Sequence, residues 1–92
     1  MPQLFRFGNY VIYFWSNENN PTEPVHVHIS EKKPVENGTK IWITRSGHTI
    51  VDNNASRIPS AKLRMLCRYV EANVDEVLEE WEKHFGEARF FC

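Results

Sequence analysis

Cysteine is scarce in this chain: Cys67 and Cys92 are the only two in 92 residues. That excludes a disulfide framework and a four-ligand cysteine zinc site, and it makes the cytoplasm, with both thiols reduced, the expected setting. Glycine is limited to four residues, and neither a Gly-rich phosphate loop, a G-x-S-x-G elbow nor a Ser-His-Asp order occurs. Long apolar runs are missing too. The longest, Tyr10 to Trp15, is far short of the roughly 18 residues of a membrane helix. The amino end has one basic residue, Arg6, and no apolar leader segment, so neither export nor a membrane partner is expected. The formal net charge is only -1, which excludes a uniformly basic nucleic-acid binder.

The rest of the composition is that of an ordinary globule: 41% hydrophobic, 25% charged and 13% aromatic. A chain of this length holds one core, so residues 1–92 are expected to form a single domain. The small net charge hides an asymmetry. Residues 1–68 carry nine Lys/Arg and five Asp/Glu, or +4, and residues 69–92 carry two and seven, or -5. Such a dipole steers a charged partner to one side.

The first half reads as β. Leu4–Phe7 and Tyr10–Trp15 flank Gly8-Asn9, a joint suited to a I′ or II′ hairpin. In Val25–Ser30, Val25, Val27 and Ile29 alternate with His26, His28 and Ser30, which predicts an apolar face and a wet face. Lys40–Thr44 and His48–Val51 form a further hairpin around Ser46-Gly47. The second half changes to helical period. Leu63, Leu66, Cys67 and Val70 share one stripe behind a Ser60 N-cap. Val74, Val77, Leu78, Trp81 and Phe85 share another, opened by Asn73 and Glu76 as a capping box and closed by Gly86. The predicted class is α+β: an antiparallel sheet of about five short strands over residues 3–52, then helices over about 60–72 and 74–85 packed on one sheet face.

Two residues apart on a strand, His26 and His28 point the same way. Such a pair suits one metal ion, with Glu18, Glu23 or His48 as third ligand, or acid–base work near neutral pH. Phosphoryl chemistry would need a cation as well, with Arg6 or Arg45 available. Polar strand faces carry histidine for simpler reasons, so neither a catalytic nor a metal role is assigned and no cofactor is expected. Arg64 and Arg68, one turn apart, make the first helix basic. They fit a phosphate backbone, or more simply a solvated face, or a stripe pairing with the acidic second helix through Glu71, Glu79, Glu80 and Glu82.

The aromatic load points elsewhere. Tyr10–Trp15 is apolar at every position, so Tyr13 and Trp15 oppose Ile12 and Phe14. Together with Trp42 they exceed what one sheet face buries under two helices. Either a loop over 16–24 or 31–39 covers the surplus, or a partner does.

Several of these motifs together resemble a bacterial family catalogued as domain of unknown function (DUF) 4160. They are Phe5-Arg6-Phe7-Gly8; Ser16-Asn17-Glu18 followed by a proline and His26-Val27-His28-Ile29; Lys40-Ile41-Trp42-Ile43; and Trp81-Glu82-Lys83-His84-Phe85-Gly86. The resemblance spans roughly residues 2–86. It implies a small protein often encoded beside a second small one, in pairs nominated as toxin–antitoxin-like modules, and it transfers no catalytic residue. Two departures fall near the histidines: Asn19 stands where the family usually has His, and Thr22-Glu23 look inserted.

The expected function is a noncatalytic protein-binding domain, possessing an outer sheet face or an edge strand that takes a partner protein or a second copy. Its binding residues would come from Tyr13, Trp15, Asn17, Glu18, Trp42, Arg64 and Arg68. The rival is a small RNase-like toxin with His26 and His28 as acid and base. A His-based metal-binding protein is third, and nucleic acid is the less favoured partner.

Overall fold

A computed structural model of the chain describes residues 3–15 and 23–92. Asn17 and Glu18 of the expected binding set therefore lie outside the described residues. Five strands, β1 (Gln3–Phe7), β2 (Tyr10–Tyr13), β3 (His26–Glu31), β4 (Thr39–Ile43) and β5 (Thr49–Asn53), precede α1 (Ser60–Ala72) and α2 (Val74–Phe85). The strands form one antiparallel sheet in chain order. This is the α+β arrangement expected from the sequence.

Local chemistry accounts for the turns. Gly8 adopts φ 61° between β1 and β2 while Asn9 does not enter the left-handed region, the pattern of a II′ turn. Gly47 turns β4 into β5 at φ 87°, its amide donating to the Thr44 carbonyl. Gly86 ends α2 in the left-handed region and donates to Glu82.

The helix starts differ from expectation. Ser60 is the first helical residue rather than the cap; Pro59 holds the cap position and no side chain caps α1. Asn73 does not close a capping box either. Its side-chain amide donates backward to the Tyr69 carbonyl, satisfying the end of α1 instead of the start of α2.

The helices cover one sheet face. Ile12 and Phe14, Val25, Val27 and Ile29, and Ile41 and Ile43 meet Ile58, Leu66, Val70, Val77 and Trp81 in a single core. Burying each aliphatic side chain of this kind contributes roughly 1.5–3 kcal/mol relative to exposure.

The opposite face is not wet. His26, His28 and Ser30 are all buried, as are Val11 and Tyr13. The chain itself does the covering. The segment between β3 and β4 reaches Tyr13, whose hydroxyl donates to the Val35 carbonyl (2.7 Å) and accepts from the Val35 amide (3.0 Å). The segment after α2 crosses the end of the β3–β4 pair: Val25 N–H donates to Arg89 O, Arg45 N–H donates to Cys92 O, and Phe91 stacks on Trp42 at 5.0 Å. The expected surplus of aromatic surface on β2 is thus absorbed internally, because loop and tail supply a third layer that strand alternation does not reveal.

The basic stripe of α1 is a solvated face, with Arg64 and Arg68 exposed, and among the described residues it makes no ion pair with acidic α2. Glu71 instead accepts from the Thr49 amide and hydroxyl, and Glu80 pairs with Lys83 and His84.

Cys67 sits half-buried on the α1 stripe, as expected of a core thiol. Burial pushes its pKa above the ordinary thiol value; a hydrogen bond with Thr49 opposes the rise and the nearby Glu71 charge adds to it. A raised pKa means less thiolate at neutral pH. A disulfide reagent should therefore modify exposed Cys92 at least about tenfold faster than Cys67 in the native protein. Equal rates would show that α1 does not shield its thiol.

Candidate functional site

The chemically richest cluster lies mainly on the sheet face away from the helices, meeting α2 only where Trp81 reaches His26, and strand register assembles it. Tyr13 pairs with His28, His28 with Lys40, and His26 with Trp42. Side chains from three strands thus share one surface. The two imidazoles meet edge to face at 5.1 Å between centroids, and Tyr13 stacks on His28 at 5.7 Å. Trp81 of α2 and Trp42 of β4 both pack edge-on against His26, at 5.3 Å and 5.7 Å.

Backbone carbonyls orient both rings. His26 Nδ1 lies 3.0 Å from Pro24 O, and His28 Nδ1 lies 3.4 Å from Gly38 O. A carbonyl only accepts, so in each contact Nδ1 is the donor.

Lys40 is the cation at this site. Its ammonium bonds Glu23 Oε1 at 2.7 Å and lies 4.4 Å from the Trp42 ring centroid. The same Glu23 oxygen is 3.9 Å from His26 Nδ1. The Trp42 indole N–H donates to Asp52 on β5. His28, Lys40, Glu36, Asn37, Gly38, Asn53 and Ala55 line an open cleft of about 360 Å³.

This geometry separates the two histidines. His26 is 0% exposed, enclosed by aromatic rings, whereas His28 is 6% exposed and borders the cleft. A proton-transfer pair acting together on one substrate would need both at a surface. Only His28 borders the cleft, and its Nε2 is itself buried.

The remaining sequence-named residues scatter. Arg45 lies away from the pair, its guanidinium 5.8 Å from the Phe90 ring centroid. Arg6 donates to the Lys32 carbonyl, and His48 bonds Ser46. Arg64 and Arg68 are exposed on α1. Tyr13 is buried; Trp15, edge-on to it at 5.5 Å, and Trp42 are half-buried. Among the described residues no three His, Cys, Asp or Glu side chains gather as a metal site. No helix described is long and apolar enough to cross a membrane.

Sequence reasoning missed Lys40 as the cation beside the histidines and Gly38 as the backbone partner of His28. The signal for Lys40 was cross-strand position, which requires knowing that β3 and β4 pair with His28 opposite Lys40.

No curated protein and no solved structure significantly matches the chain. The profile of a family described as a domain of unknown function (DUF4160) matches residues 9–82, from the β1–β2 turn to the last turns of α2, and the chain belongs to that family.

Proposed function

We propose that the protein is a noncatalytic, cytoplasmic protein-binding domain, one member of a two-protein module of the toxin–antitoxin-like kind. The observation that carries this reading is the open edge at β5. Ile50 and Val51 are 38% and 40% exposed on the outermost strand, and they point to opposite sheet faces. The other edge differs: Leu4, Phe5 and Phe7 of β1 pack against the core, and Tyr69 of α1 meets both phenylalanine rings. An edge strand with exposed apolar side chains is a template for another chain. With the β2 ribbon enclosed, β5 rather than the outer sheet face is the docking surface.

The test is size-exclusion chromatography with light scattering on the protein alone and mixed with the product of the adjacent gene. A complex with that product, or a self-complex, supports the reading; a strict monomer that ignores its neighbour overturns it. The RNase-like reading has one observation in its favour, the position of Lys40 opposite His28 across the β3–β4 ladder. It would displace ours if expression slowed growth and His28→Ala relieved the effect.

A further inference from the structure

We infer that the occupant of the β5 edge is a second copy of this chain, joined about a two-fold axis through Val51 so that two five-stranded sheets become one. This deepens the protein-binding reading and rests on it. Three features of the edge make it self-complementary.

The first is the backbone. Along the β4–β5 ladder the Thr44 amide donates to the His48 carbonyl, and Trp42 lies opposite Ile50. Antiparallel alternation then turns the N–H and C=O of Thr49 and Val51 away from β4, toward the open edge. The Thr49 amide is taken by Glu71. Val51 is left at the middle of the strand, where a two-fold axis lets it exchange both backbone hydrogen bonds with its own counterpart.

The second is the side chains. Antiparallel pairing centred on Val51 sets Ile50 toward Asp52 of the second copy, the residue at which the β4–β5 register shifts from Ile41↔Val51 to Lys40↔Asn53, so the two Asp52 carboxylates are not directly opposed. Val51 meets Val51 on the helix face and loses its exposure there.

The third is charge. Glu71 reaches the β5 edge, since it holds Thr49 at the strand's start. Arg64 precedes it by seven residues, so it shares that side of α1, two turns or roughly 10 Å nearer the helix start. α1 runs back along β5, which places Glu71 beside the beginning of the strand and Arg64 toward its end. A two-fold operation reverses that order. Arg64 then faces Glu71 of the second copy, and Glu71 faces Arg64, giving two identical opposite-charge contacts. A second copy supplies the reversed charge pair in addition to the backbone contacts.

The patch is one short strand and one helix side, near the low end of specific interfaces at about 1,000–1,200 Å² in total. The expected dissociation constant is therefore micromolar, on the order of 10–100 µM.

Sedimentation velocity over a wide concentration range tests this. The wild type should pass from 10.9 kDa to twice that mass. Val51→Lys places a charge on the axis and should weaken the dimer at least tenfold. Arg64→Glu and Glu71→Arg should each do the same by opposing like charges. Mixed together, these two charge variants should form a heterodimer, because each supplies the charge the other lost. Circular dichroism checks that each variant folds. If Glu71→Arg does not fold without its Thr49 contact, Val51→Lys and Arg64→Glu still decide. A wild type that stays monomeric to millimolar concentration overturns the inference, as does a dimer that neither variant weakens. A monomer that nevertheless binds its genomic neighbour would overturn the second copy as occupant while leaving the protein-binding reading standing.

Discussion

Replacing Trp81 by alanine should cost about 3–5 kcal/mol of folding stability. The indole is 3% exposed and is the point where sheet, helix and histidine cluster meet. It packs on Phe14 at 5.0 Å, on Phe85 at 4.5 Å and on His26 at 5.3 Å between ring centroids. Alanine would remove most of that buried surface and leave a cavity that rigid β2 and β3 cannot collapse into. Domains of this size have about 5–15 kcal/mol in total, so the variant should be marginal or unfolded. Denaturant melts measure the loss directly. A decrease below about 1 kcal/mol would show that Trp81 is not the anchor of α2 against the sheet.

Gly38→Ala should cost about 2–3 kcal/mol, for reasons of space rather than backbone conformation. A Cβ at Gly38 would overlap the Tyr13 hydroxyl and stand 3.1 Å from the Ile29 carbonyl oxygen. The phenol cannot swing aside cheaply. It is fully buried, it stacks on His28, and its hydroxyl holds Val35 through two hydrogen bonds. Tyr13→Phe removes that hydroxyl and should cost about 1–2 kcal/mol by itself, leaving the Val35 groups to find water. The informative comparison is with the double variant. Once the oxygen is gone the alanine methyl has room, so Gly38→Ala with Tyr13→Phe should cost at least about 1 kcal/mol less than the sum of the single changes. Strict additivity in equilibrium melts would mean that the two positions do not compete for the same space.

These two sites show how unevenly the structure can be read from its residues. The Trp81 anchor was legible, because Val74, Val77, Leu78, Trp81 and Phe85 repeat at helical spacing and that repeat belongs to one contiguous segment. Both helices occupy the residues that periodicity assigns them. The Asn73 cap was misread for an equally local reason. A single residue joins α1 to α2, so its side chain serves either the orphan carbonyls behind or the orphan amides ahead, and spacing to Glu76 does not say which.

The histidine cluster was half legible. Strand alternation puts His26 and His28 on one face, and the structure keeps them there, 5.1 Å apart. Alternation says nothing of what lies above that face. Val35 is 22 residues from Tyr13 in the chain, and Phe91 is still farther from Trp42, yet these contacts enclose the surface that looked open. The same blindness hid Lys40, which meets His28 only through the β3–β4 register.

Taken alone, the amino-acid order determined the class of fold, the five strands, the two helices and the shared orientation of the imidazoles, because period-2 and period-3.6 patterns arise from backbone geometry within a single element. Tertiary structure alone decided which face stays accessible. Burial depends on how distant segments pack: loop and tail close over β2 and β3, Trp81 seals His26, and β5 is left as the sheet's apolar open edge.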